Sequence, residues 1–360
     1  MALNYNALSA LTRDKFLPIL VDNIFNSNVI TFRLLKNAEK LDGGKKIITP
    51  LEYGKNTAQG FYSGYDVLNT TPSDPITAAE WDWKMAYATI SISAEDELKN
   101  SGDSQVLSLL KAKMRNAEKS LKDMFGNSVF GSDQAAPGYG TPDANEITQL
   151  LGAKFNSASA ASGNIPADVD SGTACNNSII SIDRSLGGIT STSAAGNTWW
   201  NSNVLPFQAT APSWTDLITA TNGTSFLMKK MTQMYGKCTI DNDSPDLIVT
   251  TQVIFDAYES SLQANKRFEG TSDLADAGFQ TLRFKGAEVV VDSHVPDGVM
   301  LFLNSRYMDF KVHSKRNFTF EDFQKPINQD SRVAKIFWMG NLTCTNPRMQ
   351  GALVGGPSTY

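Results

Sequence analysis

The chain has 360 residues, 41% of them hydrophobic and 19% charged, with a formal net charge of −5. That length holds two or three ordinary domains with cores of their own, and the apolar fraction is that of a globular protein, not a disordered one. The acidic balance excludes a protein that coats nucleic acid through clustered Lys and Arg. The three cysteines, Cys175, Cys238 and Cys344, are far apart, odd in number and never in a C-x-x-C pair. They predict reduced thiols, neither a disulfide framework nor a zinc site. The N-terminal residues lack the basic and apolar regions of a secretory leader, and no apolar run approaches the roughly 20 residues that cross a bilayer. No membrane partner is expected.

In chain order, residues 1–40 mix helix-like apolar spacing (Phe16, Leu20, Ile24) with Asn breaks at Asn23, Asn26 and Asn28. This predicts an arm that lies on something else. After the turn signal Asp42-Gly43-Gly44, Ile47 to Tyr53 alternates with period two, and Pro50 places that strand at a sheet edge. The stretch Gly54 to Ala79 is too long for an idle turn. A return strand is predicted at Trp81 to Tyr87, its apolar phase flipping by Ile90 and Ile92, as a bulge or bend requires. Together these segments predict a long projecting ribbon.

Ser101-Gly102-Asp103 supplies helix-start chemistry, and Leu107, Leu110, Met114, Ala117, Leu121 and Met124 recur at spacings of three and four. A helix of about 23 residues, about 35 Å long, is predicted, closed by Gly126 and Gly131. From Gln134 to Ser244 the composition turns to Gly, Ser, Ala, Thr and Asn, with helix-like pieces at Ile147 to Phe155 and Trp214 to Met234. Strands are predicted at Asp246 to Thr250, Ala287 to Val291 and Val299 to Leu303, with a helix at Val253 to Ala264. The end, Val333 to Leu342 and on to Met349, reads as strand interrupted at Pro347. The fold class is α+β, with a mixed α/β domain toward the C-terminus.

Catalytic chemistry is not found. Two histidines, His294 and His313, cannot build a metal cluster with the cysteines so dispersed. Asp292-Ser293-His294 is not a triad, because triad members come from separate elements and no G-x-S-x-G elbow is present. Asp241-Asn242-Asp243 starts like a calcium loop, but Asp246 and Gln252 stand where Gly and Glu are needed. No catalytic residue, metal or cofactor is expected. The positive signal is aromatic: Tyr53, Phe61, Tyr62, Tyr65, Trp81, Trp83 and Tyr87 give the ribbon more apolar area than a hairpin can bury alone. They are the candidate intersubunit contacts.

The order of arm, long ribbon, long helix, variable α/β region and terminal strands resembles the Hong Kong phage fold of tailed-bacteriophage major capsid proteins. Local wording carries the resemblance further: Leu41-Asp42-Gly43-Gly44-Lys45-Lys46-Ile47 through Gly60-Phe61-Tyr62-Ser63-Gly64-Tyr65-Asp66, then Phe284 to Val291 followed by Val295-Pro296-Asp297-Gly298, and the closing Gly340 to Arg348. The resemblance implies an N-terminal arm (1–44), an extended β-ribbon loop (45–92), a peripheral domain with a spine helix (93–133), an axial α/β domain with a variable insertion (134–306) and a return to the peripheral domain (307–360). It implies self-assembly into hexamers and pentamers of an icosahedral virion shell, built in the host cytoplasm around double-stranded DNA held without sequence-specific contacts. Many relatives begin with a long scaffolding segment for which Asp14, Phe16 and Pro18 lie too near Met1, so a separate scaffolding protein, or assembly without one, is expected; a portal and a decoration protein are the other implied partners. Some relatives crosslink a ribbon lysine to an asparagine; Lys55 and Asn56 lie in that neighbourhood, but no partner site is identifiable and no crosslink is expected. An encapsulin-like compartment shell shares the implied fold, and a soluble hydrolase or binding protein is the reading from another class.

Overall fold

The computed structural model describes residues 29–56, 58–72, 74–99, 109–130, 180–181, 184–186, 189–191, 198–200, 202–207, 213–218, 220–221, 224–262, 281–295 and 297–357. The arm up to residue 28, the helix start at Ser101-Gly102-Asp103, the piece Ile147 to Phe155 and Cys175 lie outside them. The helices are α1 (Val29–Lys36), α2 (Ala94–Lys99), α3 (Leu109–Phe130), α4 (Trp214–Ile218), α5 (Phe226–Cys238) and α6 (Gln252–Ser261). The strands up to residue 225 are β1 (Glu39–Leu41), β2 (Ile47–Glu52), β3 (Ile76–Trp81), β4 (Lys84–Ser93), β5 (Ile180–Ser181), β6 (Arg184–Leu186), β7 (Ile189–Ser191), β8 (Asn203–Pro206), β9 (Ala220–Thr221) and β10 (Thr224–Ser225). Those after it are β11 (Leu247–Thr250), β12 (Thr281–Phe284), β13 (Ala287–Val291), β14 (Met300–Leu303), β15 (Met308–His313), β16 (Thr319–Gln324), β17 (Ser331–Cys344) and β18 (Gly351–Val354).

The chain divides into two compact units, the first from residues 87–122 and 318–337, the second from 27–86, 123–317 and 338–360. The second is organised by a mixed sheet of order β12-β13-β11-β14-β18-β8-β5. β11 runs parallel to β13 and antiparallel to β14, while β18 runs antiparallel to β14 and parallel to β8. All four residues of β11, β14 and β18 are buried, which is why these strands read as unbroken apolar runs with no alternation. β12 and β13 form a hairpin across Lys285 and Gly286, whose φ values of 49° and 95° are those of a two-residue turn that matches strand twist.

Helices α5 and α6 pack on one face of this sheet. Leu227, Met231, Met234 and Cys238 recur along one side of α5 and join Ile254, Phe255 and Tyr258 of α6 over Ile248, Val289, Phe302 and Leu353. Ser225 caps α5 by accepting from the Met228 N–H at 3.3 Å. The helix-like piece from Trp214 to Met234 holds helix α4 and most of α5, separated by the antiparallel pair β9 and β10. The sequence between those strands is Asn222-Gly223, a dipeptide favoured in hairpins. Burial pushes the Cys238 thiol up to about 12, so this cysteine is an inert packing group. Close approach of α5 to β18 depends on Gly351, where an added Cβ meets the Cys238 Sγ at 2.5 Å and the Met234 Sδ at 2.6 Å. Gly351→Ala is therefore expected to lower stability by about 1–3 kcal/mol in denaturant unfolding.

The long helix is where the apolar spacing puts it, but it continues through Gly126 to Phe130. Phe125, Val129 and Phe130 are buried beyond the glycine, and their burial outweighs its helix penalty of about 1 kcal/mol. The inward stripe is Ala117, Leu121, Phe125 and Val129, so Phe125 faces in where Met124 was expected, and Met124 is exposed. In the second unit Phe125 meets Trp338 edge-on at 4.7 Å and Phe310 at 6.4 Å between centroids. β15 pairs there with the Gly340–Cys344 stretch of β17 and, in parallel, with β1. In the first unit β16 pairs with residues 333–337 of β17, and the Asp330 carbonyl accepts from Ala94 N–H at the start of α2. Neither β15 nor β16 was expected; Pro347, as expected, ends the strand run, opening a short 3₁₀ turn before β18.

Candidate intersubunit surface

The ribbon is built on β2 and β3, which pair antiparallel with Ile47 opposite Trp81, Thr49 opposite Ala79 and Leu51 opposite Thr77. These two form a sheet of their own, so Pro50 stands at an edge and costs no ladder bond. Alternation sends Ile47, Leu51, Ala79 and Trp81 inward and leaves Ile48, Pro50 and Glu80 outward. The Lys46 ammonium and Glu80 carboxylate pair at 2.7 Å on the outward face. Their hydrogen bond holds the lysine above and the carboxyl below its usual range, in a fully exposed setting that makes the pair a minor stabiliser.

At its base the ribbon is fastened. Tyr53 N–H donates to the Pro75 carbonyl and its hydroxyl to the Asp74 carbonyl, while its ring stacks on Trp199 at 5.2 Å. Trp200 beside it is fully buried. Trp83 Nε1–H donates to the Gly44 carbonyl at 2.9 Å, and its ring meets His313 edge-on at 5.8 Å. Asn341 donates from Nδ2 to the Asp82 carbonyl at 2.8 Å. Gly43 and Gly44, at φ of 121° and 120°, make a turn that only glycine adopts without strain.

Beyond the base, residues 54–75 are held locally. Asn56 Oδ1 accepts from Ala58 N–H, Asn69 Oδ1 from Thr71 N–H, and Ser63 and Asp66 bond each other twice. Their apolar side chains have no cover: Phe61 is 109% exposed, Tyr65 104% and Val67 97%, with Tyr62 and Leu68 also open. Apolar area concentrated in this way on one segment is more than a surface left to solvent usually carries.

The seven aromatic candidates thus separate. Phe61, Tyr62 and Tyr65 are free on the loop, and Tyr53 and Trp83 are partly occupied at its base. Trp81 corrects the sequence reading: it is 3% exposed, on the inward face opposite Ile47, and cannot reach a neighbour. Tyr87 is exposed but lies on β4, outside the hairpin, whose return strand begins at Ile76. The expected phase flip falls at Asp82-Trp83 between β3 and β4, since Trp81 faces in on odd numbering and Ile90 and Ile92 on even. A second exposed apolar group went unread, on the first unit: Phe318, Phe320 and Ile327, around a β16 that is exposed on both faces. Its signal was the alternation in Phe318-Thr319-Phe320.

The polar candidates take bland places. Asp243 closes a turn and accepts from the Tyr307 hydroxyl at 2.6 Å and Arg306 at 3.0 Å. Ser293 is exposed while the His294 ring turns toward carboxylates, so no nucleophile faces a base. Among the described residues no group of His, Cys, Asp and Glu side chains is arranged to hold a metal, and no helix is long and apolar enough to cross a membrane.

No protein-family model and no curated protein matches the chain. Solved structures do. The capsid of the cyanophage A-1(L) superposes with a TM-score of 0.61 at 14% identity, covering 96% of this chain and 98% of that one. The capsid of a native GTA particle gives 0.59 at 9% identity, over 99% and 100%. The fold is that of tailed-phage capsid proteins. Coverage of nearly both whole chains means that the likeness extends over the chain and is not confined to a subdomain. The holo-SrpI encapsulin complex from Synechococcus elongatus PCC 7942 also matches, with a TM-score of 0.50 at 8% identity over 100% and 98%.

Proposed function

We propose that the chain is the major capsid protein of a tailed phage, a structural subunit without catalytic function that assembles with itself into the hexamers and pentamers of an icosahedral virion shell. The observation that carries this is the uncovered aromatic loop, Phe61 to Leu68, on a chain with the capsid-protein fold. In this reading the β2–β3 ribbon lies over a neighbouring subunit and α3 serves as the spine helix of a peripheral domain. The seven-stranded sheet with α5 and α6 serves as the axial domain around local symmetry axes. Residues 1–44 act as the arm, and the assigned boundaries follow at 45–92, 93–133, 134–306 and 307–360.

The acidic subunit contains double-stranded DNA by enclosure, without sequence-specific contacts, inside particles built in the host cytoplasm. A separate scaffolding protein, a portal and a decoration protein complete the set of partners. The encapsulin match supports the same architecture at a lower TM-score and does not favour a compartment shell.

The test is electron microscopy of the chain after size exclusion, expressed with and without its genomic neighbours. Closed particles or capsomer rings are the expected result. Well-behaved monomers under both conditions would overturn the assignment.

A further inference from the structure

The shell reading makes no use of a charged cluster in the second unit. His294 lies in the turn that follows β13, with a side chain only 10% exposed. Its Nδ1 is 3.1 Å from Asp292 Oδ1, and its Nε2 is 2.9 Å from Asp123 Oδ1 on α3. The His294 main-chain N–H also donates to Asp292 Oδ1 at 3.0 Å. The Asp292 side chain is wholly buried, and its other oxygen has no hydrogen-bond partner. Asp123 is half-exposed, and its second oxygen accepts from Asn127 at 3.4 Å.

A neutral imidazole carries one N–H and one lone pair. With a carboxylate oxygen at each ring nitrogen, either neutral tautomer turns a lone pair against a carboxylate. Only the imidazolium donates to both. We infer that His294 is a protonated latch: its cation fastens the C-terminal part of α3, at Asp123, to the turn between β13 and β14, at Asp292, and loss of the proton unfastens them.

The direction of the pH response follows. Asp123 and Asp292 are the charged groups facing the ring, and the hydrogen bond to Asp292 first, then that to Asp123, hold the imidazole pKa above its ordinary value, against the opposing effect of burial. A group whose pKa is raised on folding contributes stability that is complete below its unfolded value, about 6.5, and is lost as pH rises through the folded one. The latch is therefore closed in mild acid and opens as pH rises through the raised folded-state value. It joins two elements separated by a long stretch of chain, so its opening removes a tertiary tie on α3 and not a contact within a local turn.

Amide hydrogen exchange read by mass spectrometry on the full chain, from pH 6 to 9 and corrected for the intrinsic exchange rate, tests this. In the wild type, protection of residues 123–130 and 292–295 is expected to fall as pH rises across that range. His294→Gln is expected to begin at lowered protection and to change no further with pH, and Asp123→Asn to begin at lowered protection and to keep a reduced pH response through the remaining Asp292 bond. Asp123→Asn removes only one of the two bonds, at a half-exposed carboxylate, and so carries the test if His294→Gln does not fold. Flat wild-type protection, or either variant matching the wild type in both level and pH dependence, would overturn the latch.

Discussion

Replacing Phe61 and Tyr65 together by serine is expected to leave the subunit folded and to stop it from associating. Both rings stand wholly in solvent at the end of a ribbon anchored elsewhere, so the fold loses no contact with them. Surface changes of this kind move stability by no more than about 0.5 kcal/mol. If a neighbouring subunit covers these rings, each contributes about 2–3 kcal/mol of burial to the contact. Losing both weakens one contact by about a thousandfold or more, and a closed shell repeats that contact in every subunit. Light scattering and thermal unfolding read the two halves of this expectation separately. Trp81→Ser supplies the contrast, since its ring is internal to the subunit and its loss is expected in the melting curve. Particles that form normally from the Phe61/Tyr65 double variant would remove the loop from the interface.

Phe125→Ala is expected to have the largest effect on folding, about 3–5 kcal/mol. The ring is 2% exposed and makes edge contacts with both Trp338 and Phe310, which themselves lie 5.4 Å apart. Such perpendicular contacts contribute beyond simple area, and alanine leaves a cavity that two bulky indole and phenyl groups cannot collapse to fill. Denaturant unfolding measures the loss. Met124→Ala, one residue away on the exposed side of the helix, is expected to change stability by no more than about 0.5 kcal/mol. Equal effects at the two positions would contradict the helix orientation.

Much of this architecture was legible because its signals are periodic. The three-and-four spacing from Met114 to Leu121 identifies α3, and the unbroken run of β11 identifies a strand covered on both faces. What escaped was decided by single residues. The return strand starts five residues before Trp81 could announce it, since Ala78 and Ala79 have little strand preference, yet Ala79 packs inward opposite Thr49. The two tryptophans at 81 and 83 share a parity and so read as one face, but the break at Asp82-Trp83 turns them into separate environments. The phrases that carried the family resemblance turn out to be steric. At Gly340 a Cβ meets the Lys311 carbonyl at 2.5 Å and the Trp338 ring at 2.6 Å; at Gly298 one meets the Gly356 carbonyl at 2.4 Å. Asn341 follows with its bond to Asp82. The latch at His294 escaped for a different reason: Asp123 is distant in sequence, and nothing in its helix distinguishes it from a solvated carboxylate.

The position of β18 bears on how the protein is made. β8, β11, β13 and β14 all leave the ribosome before Gly351–Val354, yet that segment lies between β14 and β8. Until it emerges, β8 has only the short β5 beside it and β14 presents an open apolar edge, the kind that nascent chains pair wrongly. The sheet therefore cannot close during translation of the residues that precede β18; it closes afterwards, around a strand inserted last. A chain that ends before Gly351 is expected to leave β14 and β8 without the strand that joins them.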